Sequence, residues 1–177
     1  MDFAGTPEPR KTVSGVLFLA LDKDKESDLM LARKIQDNIV SEMLSAGGSF
    51  EQYDILLRYA AELDELPEPL KTEESLVEGC QSQVWLHMRW DGDEDGEGFV
   101  LQADSDTLMV RGVLLILSRM FNGKCAQEIV DCEIDFIEKT DLAYIFDAKR
   151  QTGVASIVST IKQFCESALA SRRNGNF

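Results

Sequence analysis

The sequence predicts an α+β fold with two N-terminal helices, a small three-stranded antiparallel sheet, and several C-terminal helices packed on one sheet face. Three observations predict it. Apolar residues recur at helical spacing in two segments before residue 64. Two β-prone runs, Val84–Trp90 and Gly98–Ala103, flank an acidic, glycine-containing turn. Beyond Leu108 the helical spacing returns. Helices grouped on either side of a sheet, rather than alternating with strands, exclude a parallel doubly wound fold.

The elements are taken in chain order. Ser27 to Ala46 reads as the first helix, with Ile35, Ile39, Met43 and Leu44 on its apolar stripe and Gly47-Gly48 as its stop. Ser49-Phe50-Glu51-Gln52 reads as a capping box in which Ser49 caps and Gln52 reaches back. The helix it starts carries Tyr53, Leu56, Leu57, Ala60 and Leu63, and Pro67 and Pro69 force the next segment into an extended linker. A short strand at Ser75–Val77 precedes the hairpin formed by the two β-prone runs. Asp104, Ser105 and Asp106 offer capping oxygens to a helix over Leu108–Phe121, which Asn122-Gly123 closes. That helix is apolar on most sides, which places it at the centre of the core. Short helices are predicted at Ala126–Val130 and Glu133–Phe146. A last helix from Thr152 has Val154, Ile157, Val158, Ile161, Phe164, Cys165 and Ala168 on its stripe.

Size and charge narrow the function. At 177 residues and 44% hydrophobic content the chain holds one globular core. The expected organisation is an N-terminal extension (1–28), a single domain (29–172) and a C-terminal tail (173–177). Thirty-two acidic against 18 basic residues give a net charge of −14, which opposes nucleic-acid or anionic-membrane binding. Arg10 and Lys11 before the apolar Val13–Leu21 loosely resemble a secretory signal. Asp2 and Glu8 sit where such a signal is basic, no small-residue cleavage site follows, and Asp22-Lys23-Asp24-Lys25 interrupts the run, so a cytoplasmic protein is expected.

The four cysteines, Cys80, Cys125, Cys132 and Cys165, show no CxxC spacing, so no metal or cluster site is read from them. Cys132 and Cys165 read as small buried hydrophobes. Cys80 differs. It follows Gly79, which suits a sharp bend, and precedes the uncharged polar Gln81, Ser82 and Gln83. This is the setting of a presented, reactive thiol on a loop, with an idle loop cysteine as the plainer alternative. Two other features are decoys. Asp91, Asp93, Asp95 and Gly96 match the first half of an EF-hand loop, but Gln102 stands where a bidentate glutamate is needed. His87 is the only histidine, and strand alternation turns it away from Leu86 and Met88 toward the surface.

Glu78-Gly79-Cys80-Gln81-Ser82-Gln83-Val84-Trp85 resembles the active-cysteine motif of the SufE family, the sulfur acceptors of iron–sulfur cluster assembly. Leu63-Asp64-Glu65-Leu66-Pro67 resembles the end of the family's second helix. Asp104-Ser105-Asp106 with Val110-Arg111-Gly112 is similar to its SD…V-K-G segment, with arginine for the usual lysine. Phe136-Ile137-Glu138-Lys139 with Arg150 and Gly153 is similar to its Phe-x-Glu-Lys…Arg-x-x-Gly stretch. Ala103 replaces a common glycine, and Ala148-Lys149 replaces a common Pro-Ser or Pro-Thr. The likeness covers roughly Met30 to Leu169.

The resemblance implies a compact fold shared with cluster scaffolds of the IscU type. It implies an accessory sulfur-transfer protein that accepts sulfane sulfur as a persulfide on Cys80, activates a SufS-like cysteine desulfurase, and delivers sulfur to a downstream scaffold complex. Gly79, Gln81, Ser82 and Gln83 form the supporting loop, and Arg150 matches an arginine expected near the desulfurase interface. No cofactor is implied for this chain; the pyridoxal phosphate belongs to the partner. The alternatives are an iron–sulfur scaffold, which needs about three converging ligands, and a non-catalytic adaptor.

Overall fold

A computed structural model of the chain describes residues 31–91 and 98–173. Helix α1 occupies residues 31–46, and the predicted start at Ser27 lies outside the described residues. Its buried stripe is Ala32, Gln36, Ile39, Val40 and Met43, so Leu44, expected on the stripe, is exposed. Gly47 ends the helix at φ +134°, a conformation that costs glycine little.

Helix α2 spans Ser49–Glu62 and buries Gln52, Ile55, Leu56, Tyr59 and Ala60. Its start differs by one residue from the expected capping box. The N–H of Gly48 donates to the Glu51 carboxylate at 3.1 Å, so Glu51 is the residue that reaches back. Ser49 is instead used over long range, its hydroxyl donating to Asp141; Gln52 does both, its side-chain amide donating back to the Gly47 carbonyl at 3.0 Å and its side-chain oxygen accepting the Asp141 N–H at 2.8 Å. Burying Gln52 turns the helix so that Tyr53 and Leu57 are only half-buried. The proline linker contains one 3-10 turn, Glu68–Leu70.

Strands β1 (Val84–Trp90) and β2 (Phe99–Ser105) pair antiparallel from Val84↔Ser105 to Trp90↔Phe99. The Asp91 N–H donates to the Gly98 carbonyl at 2.8 Å, closing the hairpin; residues 92–97 of the acidic turn lie outside the described residues. Among the described residues the sheet has two strands, not the three expected. Ser75–Val77 contributes a single bridge at Leu76↔Trp85. Two effects limit it. The Ser75 hydroxyl donates to the carbonyls of Leu70 and Thr72, which holds a turn just before it. Gly79 bends the chain just after it. Only two ladder bonds remain, Val77 N–H to Val84 and Leu86 N–H to Ser75, each 2.8 Å.

Helix α3 spans Leu108–Phe121 and is the core helix that its composition predicts, burying Val113, Leu114, Ile116, Leu117, Met120 and Phe121. A Cβ on Gly112 would stand 2.4 Å from the Leu56 carbonyl oxygen, so glycine here lets α2 and α3 touch backbone to backbone. At the far end the Asn122 side chain accepts the Leu101 N–H, and Gly123, at φ +79°, donates to Phe99.

The predicted caps of α3 have other tasks. Asp104 and Ser105 continue strand β2, and Thr107 is the residue before the helix. Buried Asp104 pairs with Arg111 and with Lys71 at 3.2 Å, and it accepts the Ser105 N–H at 2.8 Å. Arg111 also donates to the Ala60 and Leu63 carbonyls, tying down the exposed backbone end of α2. Burial alone would raise the Asp104 pKa, but the Ser105 N–H, Lys71 and Arg111 outweigh it and hold the carboxyl below its ordinary range. A carboxyl depressed in the folded state stabilises above its unfolded pKa, about 4, and that stability is lost as pH falls through the lower folded value. Denaturant midpoints measured from pH 7 to pH 3 are therefore expected to converge for wild type and Asp104→Asn below about pH 4. A constant gap across that range would contradict this.

Helix α4 spans Ala126–Asp131, α5 is the single turn Leu142–Ile145, and α6 runs from Ala148 to Arg173. The helix expected over Glu133–Phe146 is replaced by turns ahead of α5. Side chains bond the backbone here and just before it. Gln36 accepts the Asp135 N–H and donates to the Glu133 carbonyl. Lys162 donates to the Val130 and Cys132 carbonyls, and Thr140 to that of Phe136. Helix α6 begins before the expected Thr152 because Asp147 caps it, accepting the Arg150 N–H at 2.9 Å.

The helices pack on one sheet face, as expected. Val84, Leu86, Phe99, Leu101 and Ala103 point into the core, and Trp90 stacks on Phe164 of α6 with centroids 5.8 Å apart. On the other face Lys71 lies over the Trp85 ring, and Gln102 is exposed.

Candidate functional site

The chain between Val77 and Val84 forms a loop whose neck is the Val77–Val84 hydrogen bond. Gly79 sits at φ +80°, so the bend expected before Cys80 is present and favours glycine. The two arms of the loop are held unequally. The Gln83 N–H donates to Asp106, the Ser105 hydroxyl donates to the Gln83 carbonyl, and the Ser82 and Thr107 hydroxyls are 2.7 Å apart. The Ser-Asp pair after the sheet thus clamps the loop's second arm. The first arm is tied through one contact, from the Cys80 thiol to the Gly153 carbonyl at 3.4 Å.

That contact places the half-buried Cys80 side chain in a pocket of about 20 Å³ between the loop and the first turns of α6. Val84, Val110, Phe146, Val154 and Ile157 supply apolar walls. Lys149 and Arg150 supply the charged edge, with Arg150 paired to Asp147 at 3.2 Å. Gly153 is part of the fit, since a Cβ there would lie 3.5 Å from the Cys80 sulfur.

Burial pushes the Cys80 thiol above its ordinary pKa. The resting group is a protonated thiol, not an activated thiolate. Its alkylation by iodoacetamide is therefore expected to stay slow through pH 8 and to accelerate only above the ordinary thiol range, about 8.5. An alkylation rate already at its plateau by pH 8 would contradict the assignment.

Among the sequence-predicted residues, Gly79, Cys80, Gln81, Ser82 and Arg150 come together around this pocket. Gln83 contributes through its backbone alone. Arg89, the arginine nearest Cys80 in the sequence, pairs with Asp91 at the distant end of β1. His87 faces Gln102 across the hairpin and does not line the pocket. Gln102, the twelfth position of the EF-hand-like run, lies inside β2, where a calcium loop would need a free ligand; Asp93, Asp95 and Gly96 lie outside the described residues.

The remaining cysteines stay apart from Cys80. Cys132 and Cys165 are buried, and burial pushes Cys165 up to about 12. Cys125 is half-buried at the start of α4. A larger groove of about 530 Å³ runs along α6 beside Ile134 and Ile137 and contains no cysteine. Phe146, Lys149 and Val154 line the pocket without any local sequence signal that marks them for it. Gly153 carries one signal: a glycine inside a helical stripe costs about 1 kcal/mol against alanine and so marks a packing need.

Known proteins resemble this chain in sequence and in fold. The family model "SufE: Fe-S metabolism associated domain" matches residues 37–165. An uncharacterized SufE-like protein of Rhizobium meliloti (strain 1021) is 31% identical over 134 residues, 75% of this chain and 96% of that protein. A second from Rhizobium etli is 30% identical over 72% of this chain and 86% of its own length. The solution structure of a hypothetical protein from Thermus thermophilus shares the fold, with a TM-score of 0.61 at 18% identity over 79% of this chain and 96% of that one. No helix among the described residues is long and apolar enough to cross a membrane.

Proposed function

We propose, from the premise that this chain belongs to the SufE family of Fe–S metabolism, that it accepts sulfane sulfur from a cysteine desulfurase as a persulfide on Cys80. It then passes that sulfur on for iron–sulfur cluster assembly. The observation that carries this reading is the placement of one loop cysteine, by one weak contact, in an apolar pocket of about 20 Å³. Such a volume has room for no more than about one water, so the resting thiol is kept out of bulk solvent.

The transfer is an exchange. The Cys80 thiolate attacks the terminal sulfur of the donor's persulfide, a new S–S bond forms, the donor's S–S bond breaks, and its cysteine leaves as thiolate. No metal and no second cysteine takes part. The desulfurase supplies the pyridoxal phosphate chemistry that generates the donor persulfide.

The pocket gives the two things a carrier needs. Resting inward, the unloaded thiol is shielded from oxidants. The raised pKa keeps it unreactive until it leaves the pocket. Leaving requires breaking only the Cys80–Gly153 contact, because the Ser82–Gln83 arm is clamped and Gly79 can pivot. We read partner binding as the event that swings the loop outward.

The test is amide hydrogen exchange over Glu78–Gln83, with and without a desulfurase, alongside alanine output from cysteine. Faster exchange at Gly79–Gln81 together with stimulated alanine output is expected. Unchanged protection with unchanged output would overturn the proposal.

A further inference from the structure

We propose that Lys149 is the cation that holds the Cys80 sulfur once that sulfur carries negative charge, so that the carrier has one seat for the thiol and another for the persulfide anion. This rests on the sulfur-carrying role given to Cys80 above. Two features of the resting site lead to it.

The first seat is chemically one-sided. The Gly153 carbonyl oxygen, 3.4 Å from the sulfur, accepts an S–H hydrogen bond and repels a sulfur anion. Ionisation, or arrival of a second sulfur bearing charge, therefore turns the one hydrogen bond that the loop's first arm makes among the described residues into a repulsion. The sulfur is driven from the apolar pocket toward the outer opening, with Gly79 as the pivot.

The second feature is what stands at that opening. Lys149 lines both the inner pocket and the outer opening formed with Gly79, Cys80, Gln81 and Thr152. The other cation of the site, Arg150, shares its guanidinium with Asp147. Lys149 is exposed and makes no ion pair among the described residues. A lysine ammonium on a flexible four-carbon stem suits a sulfur that moves, where a guanidinium locked in a fork does not. The chain as a whole carries a net charge of −14, so a local cation is needed to counter an emerging anion.

Atoms and electrons balance without an outside oxidant. The Cys80 thiol gives its proton to water, its sulfur bonds to the donor's terminal sulfur, the donor's S–S pair departs with its cysteine, and that thiolate takes up a proton from water. The product is a persulfide on Cys80. Persulfides are more acidic than thiols, so at neutral pH its terminal sulfur is the anion that Lys149 meets.

The experiment loads Cys80 with inorganic polysulfide, without any desulfurase, and follows alkylation of the persulfide by iodoacetamide against pH. Wild type, Lys149→Met and Lys149→Arg are compared. Because Lys149 is exposed, the expected shift is modest. Lys149→Met raises the apparent pKa of the persulfide by about half a unit and slows alkylation below that pKa about threefold. Lys149→Arg keeps the wild-type profile, and 1 M salt erases the difference. Thermal melts of the three proteins coincide, as expected for a surface position. Coincident pH profiles of wild type and Lys149→Met overturn the assignment, even if a desulfurase loads Cys80 normally. Conversely, a desulfurase that never loads Cys80 sinks the proposed function while a shifted Lys149→Met profile leaves the anion seat standing.

Discussion

Replacing Cys80 by serine is expected to abolish sulfur uptake and to return a desulfurase to the activity it has without this protein. The serine hydroxyl has no accessible anion at neutral pH and no sulfur nucleophile, so the exchange step has no entry. The loss is expected to be complete rather than graded, because Cys125, Cys132 and Cys165 are all outside the pocket. Folding is expected to survive. Cys80 is only half-buried, and swapping its weak hydrogen bond for that of a hydroxyl costs about 1 kcal/mol or less. Steady-state alanine production and a thermal melt of the variant check both halves. Stimulation retained by Cys80→Ser would leave the chain an adaptor in which the thiol is idle.

The second large effect is structural and falls on Arg111. Its guanidinium joins the buried Asp104 carboxylate to the Ala60 and Leu63 carbonyls, at the point where α2 leaves the core. Arg111→Met keeps the volume but strands the carboxylate with Lys71 and backbone N–H groups, and it orphans two helix-end carbonyls. Removing one partner of a buried pair costs about 3 kcal/mol or more. In a domain of this size that is a fall in Tm of about 6–12 °C. Arg111→Lys retains the charge but not the fork, and about half the loss is expected. Differential scanning calorimetry measures both. A shift under 1 °C for Arg111→Met would show that the cluster contributes nothing net.

The parts of this protein that are legible in the sequence are those with strong local signals. The α3 stripe, the hairpin runs and the Gly79 bend each rest on periodicity or on one backbone requirement, and each is present in the fold. The family likeness at residues 78–85, 104–112 and 136–153 is likewise matched by the SufE assignment over 37–165. Long-range uses of side chains are what local signals miss. Ser49 reads as a cap of its own helix but serves Asp141, about ninety positions away, and Gln52 adds a bond to the same residue beside its local one to Gly47. The third strand reads from propensity, whereas Ser75 spends its side chain on the preceding turn. The helix expected over Glu133–Phe146 gives way where the Gln36 side chain takes the Asp135 N–H and the Glu133 carbonyl.

The site divides the same way. Cys80 and its loop are visible because glycine and uncharged polar residues mark a presented thiol. The pocket that receives the thiol is not, because α6 crosses the loop only in three dimensions. Arg89 is a candidate by proximity in sequence and lies at the wrong end of its strand, while Lys149, which no local pattern marks, lines the opening. Asp106 reads as a helix cap and is a clamp on the loop.

The most direct test mixes this protein with a cysteine desulfurase and free cysteine under anaerobic conditions, followed by intact mass and peptide mapping. A single added sulfur atom located on Cys80 is the predicted result. That atom found on Cys125, Cys132 or Cys165, or on none of them after turnover, would contradict it.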